Sequence, residues 1–223
     1  MSKQKTTLDK KVGRGLFSGF ESWLEKFLVP KVPRGLETYH LTNMTILWSL
    51  LIILGGYLTR FSINWLWFVS VMIFLQYITD FVDGKVGKLR KTGLIKWGYY
   101  MDHFLDYIFL SSILISYAFL LRGEMHYTLL ITLAIYGSFM VNSYLSFSAT
   151  NEFKIHYLKI GPTEVRLVFI IINTLIIIFG KTYIVQVLPY VFAFSILGLI
   201  VVVYRTQRKI WKLDEKIKGE KIG

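Results

Sequence analysis

An all-α polytopic membrane protein is the fold class this chain predicts, with six transmembrane helices preceded by an N-terminal interfacial amphipathic helix. Three observations carry that reading. Of the 223 residues, 54% are hydrophobic and 17% aromatic, with a mean hydropathy of +0.49, above the usual range of a soluble domain. Six apolar segments, at about 44–59, 62–79, 103–121, 125–148, 164–180 and 183–204, reach or approach the roughly 20 residues that cross a bilayer. The basic residues gather in alternate connections between those segments.

The elements follow in order. Residues 1–43 predict a cytoplasmic N-terminus carrying a juxtamembrane helix. Its first 14 positions are polar and basic and lack the apolar run of a signal peptide. From Gly15 to Leu28, the residues Leu16, Phe17, Phe20, Trp23, Leu24, Phe27 and Leu28 share one helical face. Ser18, Glu21, Ser22, Glu25 and Lys26 share the other. Such a helix is too short and too charged to span and suits the interface, although the same pattern serves a helix packed on a soluble partner. Pro30 and Pro33 then end it. Residues 44–204 predict the six-helix transmembrane domain, and 205–223 a basic cytoplasmic tail in which Lys alternates with Asp214, Glu215 and Glu220.

Charge sets the expected orientation. Stretches 1–43, 80–101, 149–166 and 205–223 hold 23 of the 26 Lys and Arg, while Arg60, Arg122 and Lys181 stand alone in the opposite connections. Both termini are therefore expected in the cytoplasm, together with the 80–101 connection. The net charge of +12 does not point to nucleic acid, because the cations flank apolar spans and form no aromatic-interleaved groove. Anionic headgroups and a pyrophosphate are the partners that fit. With no cysteine and four histidines, a thiolate or zinc site has little support.

The chemistry lies in the acids. Between Glu37 and Glu124 the only carboxylates are Asp80, Asp83, Asp102 and Asp106, all at the rim of apolar segments. An Asp at the centre of a membrane helix costs about 2.5–3.5 kcal/mol, so four together call for a cation or a function. Asp80 and Asp83 are spaced i, i+3, with Gly84 and Gly87 following; Gly98, Asp102 and Asp106 are spaced i, i+4, i+8. Two such helices facing each other would converge four hard oxygen donors, suited to Mg²⁺, Mn²⁺ or Ca²⁺, with glycines admitting a ligand close to backbone. The bland alternative is two polar helix ends with incidental acids.

The pattern D-x2-D-G-x2-G-K-x9-G-x3-D-x3-D, over residues 80–106, resembles the signature of the CDP-alcohol phosphotransferase family, D-x2-D-G-x2-A-R-x8,9-G-x3-D-x3-D. Gly87 stands where the family has Ala, and Lys88 where it has Arg. The second change keeps the charge but loses the bidentate fork, so weaker nucleotide binding or help from Arg90 is expected.

The resemblance implies an enzyme of phospholipid synthesis. It transfers a substituted phosphoryl group from a CDP-linked donor to an alcohol and releases CMP. By the same resemblance Asp80, Asp83, Asp102 and Asp106 hold two divalent ions, Mg²⁺ or Mn²⁺. Asp106 doubles as catalytic base, and Asn43, Gly84, Gly87, Lys88 and Gly98 bind the nucleotide. A homodimer is implied as well.

Thr42-Asn43-Met44-Thr45 reads either as the N-cap of the first span or as the family's short polar motif lining the nucleotide. Gly161-Pro162-Thr163-Glu164, followed by Arg166, reads as a loop stop or as the tetrad of choline and ethanolamine phosphotransferases. Asp102-His103 and Asp83-Gly84-Lys85 point to that branch too. His103, Glu164 and Arg166 are then candidates for acceptor or headgroup contacts, although a helix-end His more often makes a local hydrogen bond.

In that branch diacylglycerol attacks the soluble CDP-aminoalcohol. In the alternative, CDP-diacylglycerol is the lipid donor and inositol phosphate, glycerol phosphate or serine attacks, with Lys154, Lys159 and Arg166 as a basic pocket. An Asp-lined cation channel or transporter fits Lys88 and the glycine spacing poorly. The same features suit a bacterial inner membrane and an endoplasmic one.

Overall fold

The computed structural model describes residues 18–91, 94–150 and 162–222, and all regular structure among them is helical. Helix α1 (Ser18–Leu28) is followed by one 3₁₀ turn at Val29–Lys31, where Pro30 ends the α-helical ladder. Then come α2 (Thr38–Leu58), α3 (Trp65–Arg90), α4 (Ile95–Ala118), α5 (Met125–Thr150), α6 (Pro162–Phe179) and α7 (Lys181–Ile222). The six apolar segments thus each lie on a helix. Four of these, α2, α3, α5 and α7, are long and apolar enough to cross a membrane. Helix α4 carries Lys96, Asp102 and Asp106, and α6 has 18 residues including Glu164 and Arg166.

Boundaries depart from expectation where they matter most. The second and third segments were expected to stop at the aspartates, yet α3 runs on to Arg90 and α4 begins at Ile95. The acid motif therefore lies on continuous helices, since Gly84 and Gly87 weaken a helix by only about 1 kcal/mol each. Helix α3 ends at Lys91, which takes the left-handed conformation at φ +52° and donates its N–H to the Gly87 carbonyl. Likewise α2 starts four residues before Thr42. Glu37 precedes it, and the Glu37 N–H donates to His40 Nδ1 at 3.1 Å. Thr42 and Asn43 lie one turn inside that helix, so neither is its N-cap.

Helix α2 packs against both α3 and α4, while α3 and α4 make no backbone approach to each other among the described residues. A double glycine makes this arrangement possible. A Cβ on Gly56 would stand 2.4 Å from Ser116 Cβ and 2.5 Å from Ser116 Cα of α4. On Gly55 it would meet Val69 of α3 at 2.8 Å. Behind this wedge α6 packs on α3, and α7 packs on α5 and α6.

The main core joins Ile52, Leu66, Val69, Ile73, Ile113 and Ile176, all fully buried, from α2, α3, α4 and α6. Asn173 of α6 lies within it, donating to Ser70 Oγ at 3.0 Å and accepting from the Tyr117 hydroxyl at 2.8 Å. A smaller cluster of Val29, Leu41, Val82 and Val86 seats the 3₁₀ turn beside the acid motif. Helix α1 packs on α3 through buried Leu24, while Trp23 and Phe27 stack on each other and face outward. The apolar face expected of α1 is therefore divided between protein and surroundings.

Candidate active site

Asp80 on α3 and Asp102 and Asp106 on α4 come together across the gap between their helices. Asp80 and Asp102 lie within hydrogen-bond reach of each other. Because α2 holds α3 and α4 apart, the side chains meet across a cleft and not across a packed interface. The side chains of Asp80, Asp102 and Asp106 keep 27%, 44% and 31% of their surface, so protein does not seal this cleft.

Its floor is Arg166, from the first turns of α6. The residue is 4% exposed. One terminal nitrogen of its guanidinium donates to Asp80 Oδ2 at 3.0 Å and to Asp106 Oδ1 at 3.3 Å. Its Nε donates to Gln76 Oε1 at 2.6 Å. Gln76 is itself 1% exposed and donates to Thr45 Oγ1 of α2 at 3.5 Å. One polar chain thus runs through four helices: Thr45, Gln76, Arg166, then Asp80 and Asp106. Charge-assisted bonds of this kind are short and directional, and losing one partner strands a buried charge.

Asp83, three residues beyond Asp80, accepts a hydrogen bond from Thr42 Oγ1 of α2 at 2.6 Å. The same hydroxyl lies 3.0 Å from the Thr38 carbonyl. Asp83 therefore stands at the edge of the cluster, on the α2 side. Asn43, next to Thr42, is exposed. A Cβ on Gly84 or Gly98 would meet nothing within 4 Å, so open space lies over both glycines. Gly87 is half-buried and Lys88 exposed.

Arg90, expected to help with phosphate, is engaged elsewhere. Its guanidinium donates to the carbonyls of Leu36 at 2.7 Å, Val32 at 3.1 Å and Pro33 at 3.0 Å. It fastens the segment before α2 onto α3. Lys85 pairs with Glu25 of α1.

His103 Nδ1 is 3.5 Å from Asp102 Oδ2, and its ring packs among Tyr99 and Tyr144. The Tyr144 hydroxyl donates to the His103 carbonyl at 3.0 Å, tying α5 to α4. Glu164 is half-buried in the first turn of α6, next to Thr163, whose hydroxyl donates to Glu21 Oε1 of α1 at 3.3 Å. Gly161, Lys154 and Lys159 lie outside the described residues.

Gln76 is a part of the site that the sequence did not single out, while Thr42, expected as an N-cap or a nucleotide-lining residue, meets Asp83. Gln76 did leave a trace: it is a lone amide in the apolar run Val69–Ile78, one helical turn before Asp80.

Among the described residues no three His, Asp or Glu side chains stand as a ready metal cage, and the Arg166 guanidinium bridges two of the acids. Their chemistry nonetheless fits a hard cation. Asp80, Asp102 and Asp106 converge as hard oxygen donors with Asp83 at their edge, and one guanidinium is shared by two of them.

No curated protein and no solved structure matches the chain. A profile of the CDP-alcohol phosphatidyltransferase family matches residues 39–204, which include α2 to α6, the acid cleft and the apolar part of α7. The chain therefore belongs to the CDP-alcohol phosphatidyltransferase family, membrane transferases of phospholipid synthesis that move a phosphate-linked group from a CDP-alcohol.

Proposed function

We propose that this chain transfers the phosphoaminoalcohol of CDP-choline or CDP-ethanolamine to diacylglycerol, releasing CMP at the cytoplasmic membrane surface. The observation that carries the reading is the open cleft in which Asp80, Asp102 and Asp106 converge, with Asp83 at its edge.

Asp80, Asp83, Asp102 and Asp106 would hold two divalent ions, Mg²⁺ or Mn²⁺. Bound there, the ions supply charge neutralisation to the donor pyrophosphate and to the departing CMP. The open faces of Gly84 and Gly98, with Gly87 between Gly84 and Lys88, let a nucleotide lie against backbone. Lys88 and Asn43, both exposed, would meet its phosphate and its base or ribose. Asp106 takes the proton of the acceptor hydroxyl as the new O–P bond forms and the bond to the CMP oxygen breaks. The surrounding apolar helices limit water, which would compete as acceptor.

The headgroup assignment rests on the α1–α3–α6 corner. There the Thr163 hydroxyl, next to Glu164, donates to Glu21 at 3.3 Å, and the rings of Tyr77 and Phe81 adjoin on α3. An acidic, aromatic corner suits a cationic headgroup. An anionic soluble acceptor would need cations, and Arg166 is already engaged by two acids.

Purified protein with Mn²⁺ tests this directly, by measuring CMP released from CDP-choline or CDP-ethanolamine plus diacylglycerol and from CDP-diacylglycerol plus soluble alcohols. CMP from the first pair is expected. CMP from CDP-diacylglycerol alone moves the protein to phosphatidyl transfer, and none from any pair removes the enzyme reading.

A further inference from the structure

We propose that Arg166 is a positioning residue: an internal counter-ion that holds the acid cluster assembled without metal and gives way when divalent ions bind. The inference rests on the metal-dependent reading above and extends it to a residue outside the acid motif.

Three observations carry it. Among the described residues Arg166 is the Lys or Arg that hydrogen-bonds to acids of the cluster, and one of its nitrogens touches an acid from each of the facing helices. That bridge spans α3 and α4 where their backbones do not meet, so it supplies a link that packing does not. Its head is aimed by Gln76 through Nε and buried at 4% exposure, whereas Asp80 and Asp106 keep 27% and 31% of their side-chain surface. A guanidinium fixed in this way is a built part of the site and not a surface cation that happened to fold inward.

The consequence follows from charge. Arg166 and a divalent ion draw on the same oxygens, Asp80 Oδ2 and Asp106 Oδ1. With Arg166 in place the acids tolerate one another in the empty site. A divalent ion entering between them meets a positive neighbour and must loosen at least one of its two hydrogen bonds. Metal affinity is thereby held down, and the acids stay in place for the next ion. Removing the guanidinium has opposite effects on the two states: the metal-free protein loses stability and the metal-bound protein gains relative to it.

The test is Mn²⁺ binding to the full-length protein in nanodiscs without CDP donor, read from loss of the free-Mn²⁺ resonance, together with melting in chelator and in saturating Mn²⁺. For Arg166→Gln, Mn²⁺ is expected to bind on the order of tenfold more tightly, since one nearby positive charge is gone. The melting temperature should fall in chelator and recover most of that loss in Mn²⁺. Should this variant not fold, Arg166→Lys reads the same sign: a shorter head reaches one carboxylate, so Mn²⁺ binds more tightly than in the wild type but less than in the glutamine variant.

Unchanged or weaker Mn²⁺ binding in both variants overturns the proposal. So does an equal loss of melting temperature with and without Mn²⁺, which marks a purely structural arginine. Either result in the variants, with wild-type protein that binds Mn²⁺ and releases CMP, isolates the failure to Arg166. Wild-type protein that does neither fails the metal-dependent reading itself.

Discussion

Asp106 and Gly84 separate chemistry from architecture at the level of single side chains. Asp106→Asn keeps the shape and one acceptor oxygen facing Arg166 but cannot take a proton. It is expected to retain CDP binding, with Mn²⁺ held by the three remaining acids at lower affinity, while turnover falls by about 10²–10⁴. Equilibrium binding and CMP release on one preparation check this, and loss of nucleotide binding would assign Asp106 another role. Gly84→Ala has the converse signature. Its Cβ would meet no protein atom within 4 Å, so melting should hold or rise slightly, while the methyl intrudes where nucleotide approaches. Nucleotide affinity should fall with no loss of stability; unaltered affinity would put the nucleotide elsewhere.

The acids were legible because carboxylates are conspicuous in an apolar sequence and their i, i+3 and i, i+4 spacing survives folding. Arg166 was legible only as a residue following Gly-Pro-Thr-Glu. Its bond to acids 60 and 86 positions away depends on how α6 packs, which no local spacing encodes.

Helix α2 is the element that makes the cleft. Its Gly55-Gly56 pair lets it seat between α3 and α4, and its threonines then meet the polar residues of α3: Thr42 with Asp83, Thr45 with Gln76. Since the obstacle to a Cβ on Gly56 includes the Ser116 backbone, repacking a side chain cannot relieve it. Gly56→Val is expected to destabilise by about 3 kcal/mol or more and to splay α4 from α2. Both melting and CMP release should fall, and a variant as stable and active as wild type would contradict the close crossing.

Helix ends were the least legible feature of the elements. Apolar runs mark where lipid or core is, not where hydrogen bonding stops, so α3 and α4 continue through their acidic ends and α2 begins before its polar motif. Arg90 illustrates the same gap. A cation beside a phosphate motif suggested phosphate, whereas the backbone carbonyls of Val32, Pro33 and Leu36, in the turn before α2, claim it.

For the whole molecule, apolar composition and basic asymmetry carried the class, and the structure adds how the helices divide. Four are apolar enough to span unaided, while α4 and α6 bring the charged groups to the cleft. Six crossings with both termini cytoplasmic remain our proposal, favoured by 23 of 26 cations on one side. At 42 residues α7 is about 63 Å long, roughly twice the hydrocarbon thickness, so its basic end must stand clear of the bilayer.

The absence of cysteine makes the topology directly testable. Single cysteines at Lys91 and Lys212 should react with a membrane-impermeant maleimide from the cytoplasmic side only, and those at Ser62 and Gly123 from the opposite side only. Labelling of all four from one side would reduce the number of crossings.

The central claim is that these aspartates gather around divalent ions on a CDP pyrophosphate. Anomalous scattering from Mn²⁺ in crystals grown with CDP addresses it most directly. Mn²⁺ peaks are expected within a ring of Asp80, Asp83, Asp102 and Asp106, with phosphate oxygens completing their shells. Manganese bound elsewhere, or CDP bound in the cleft with no ion beside those carboxylates, would contradict it.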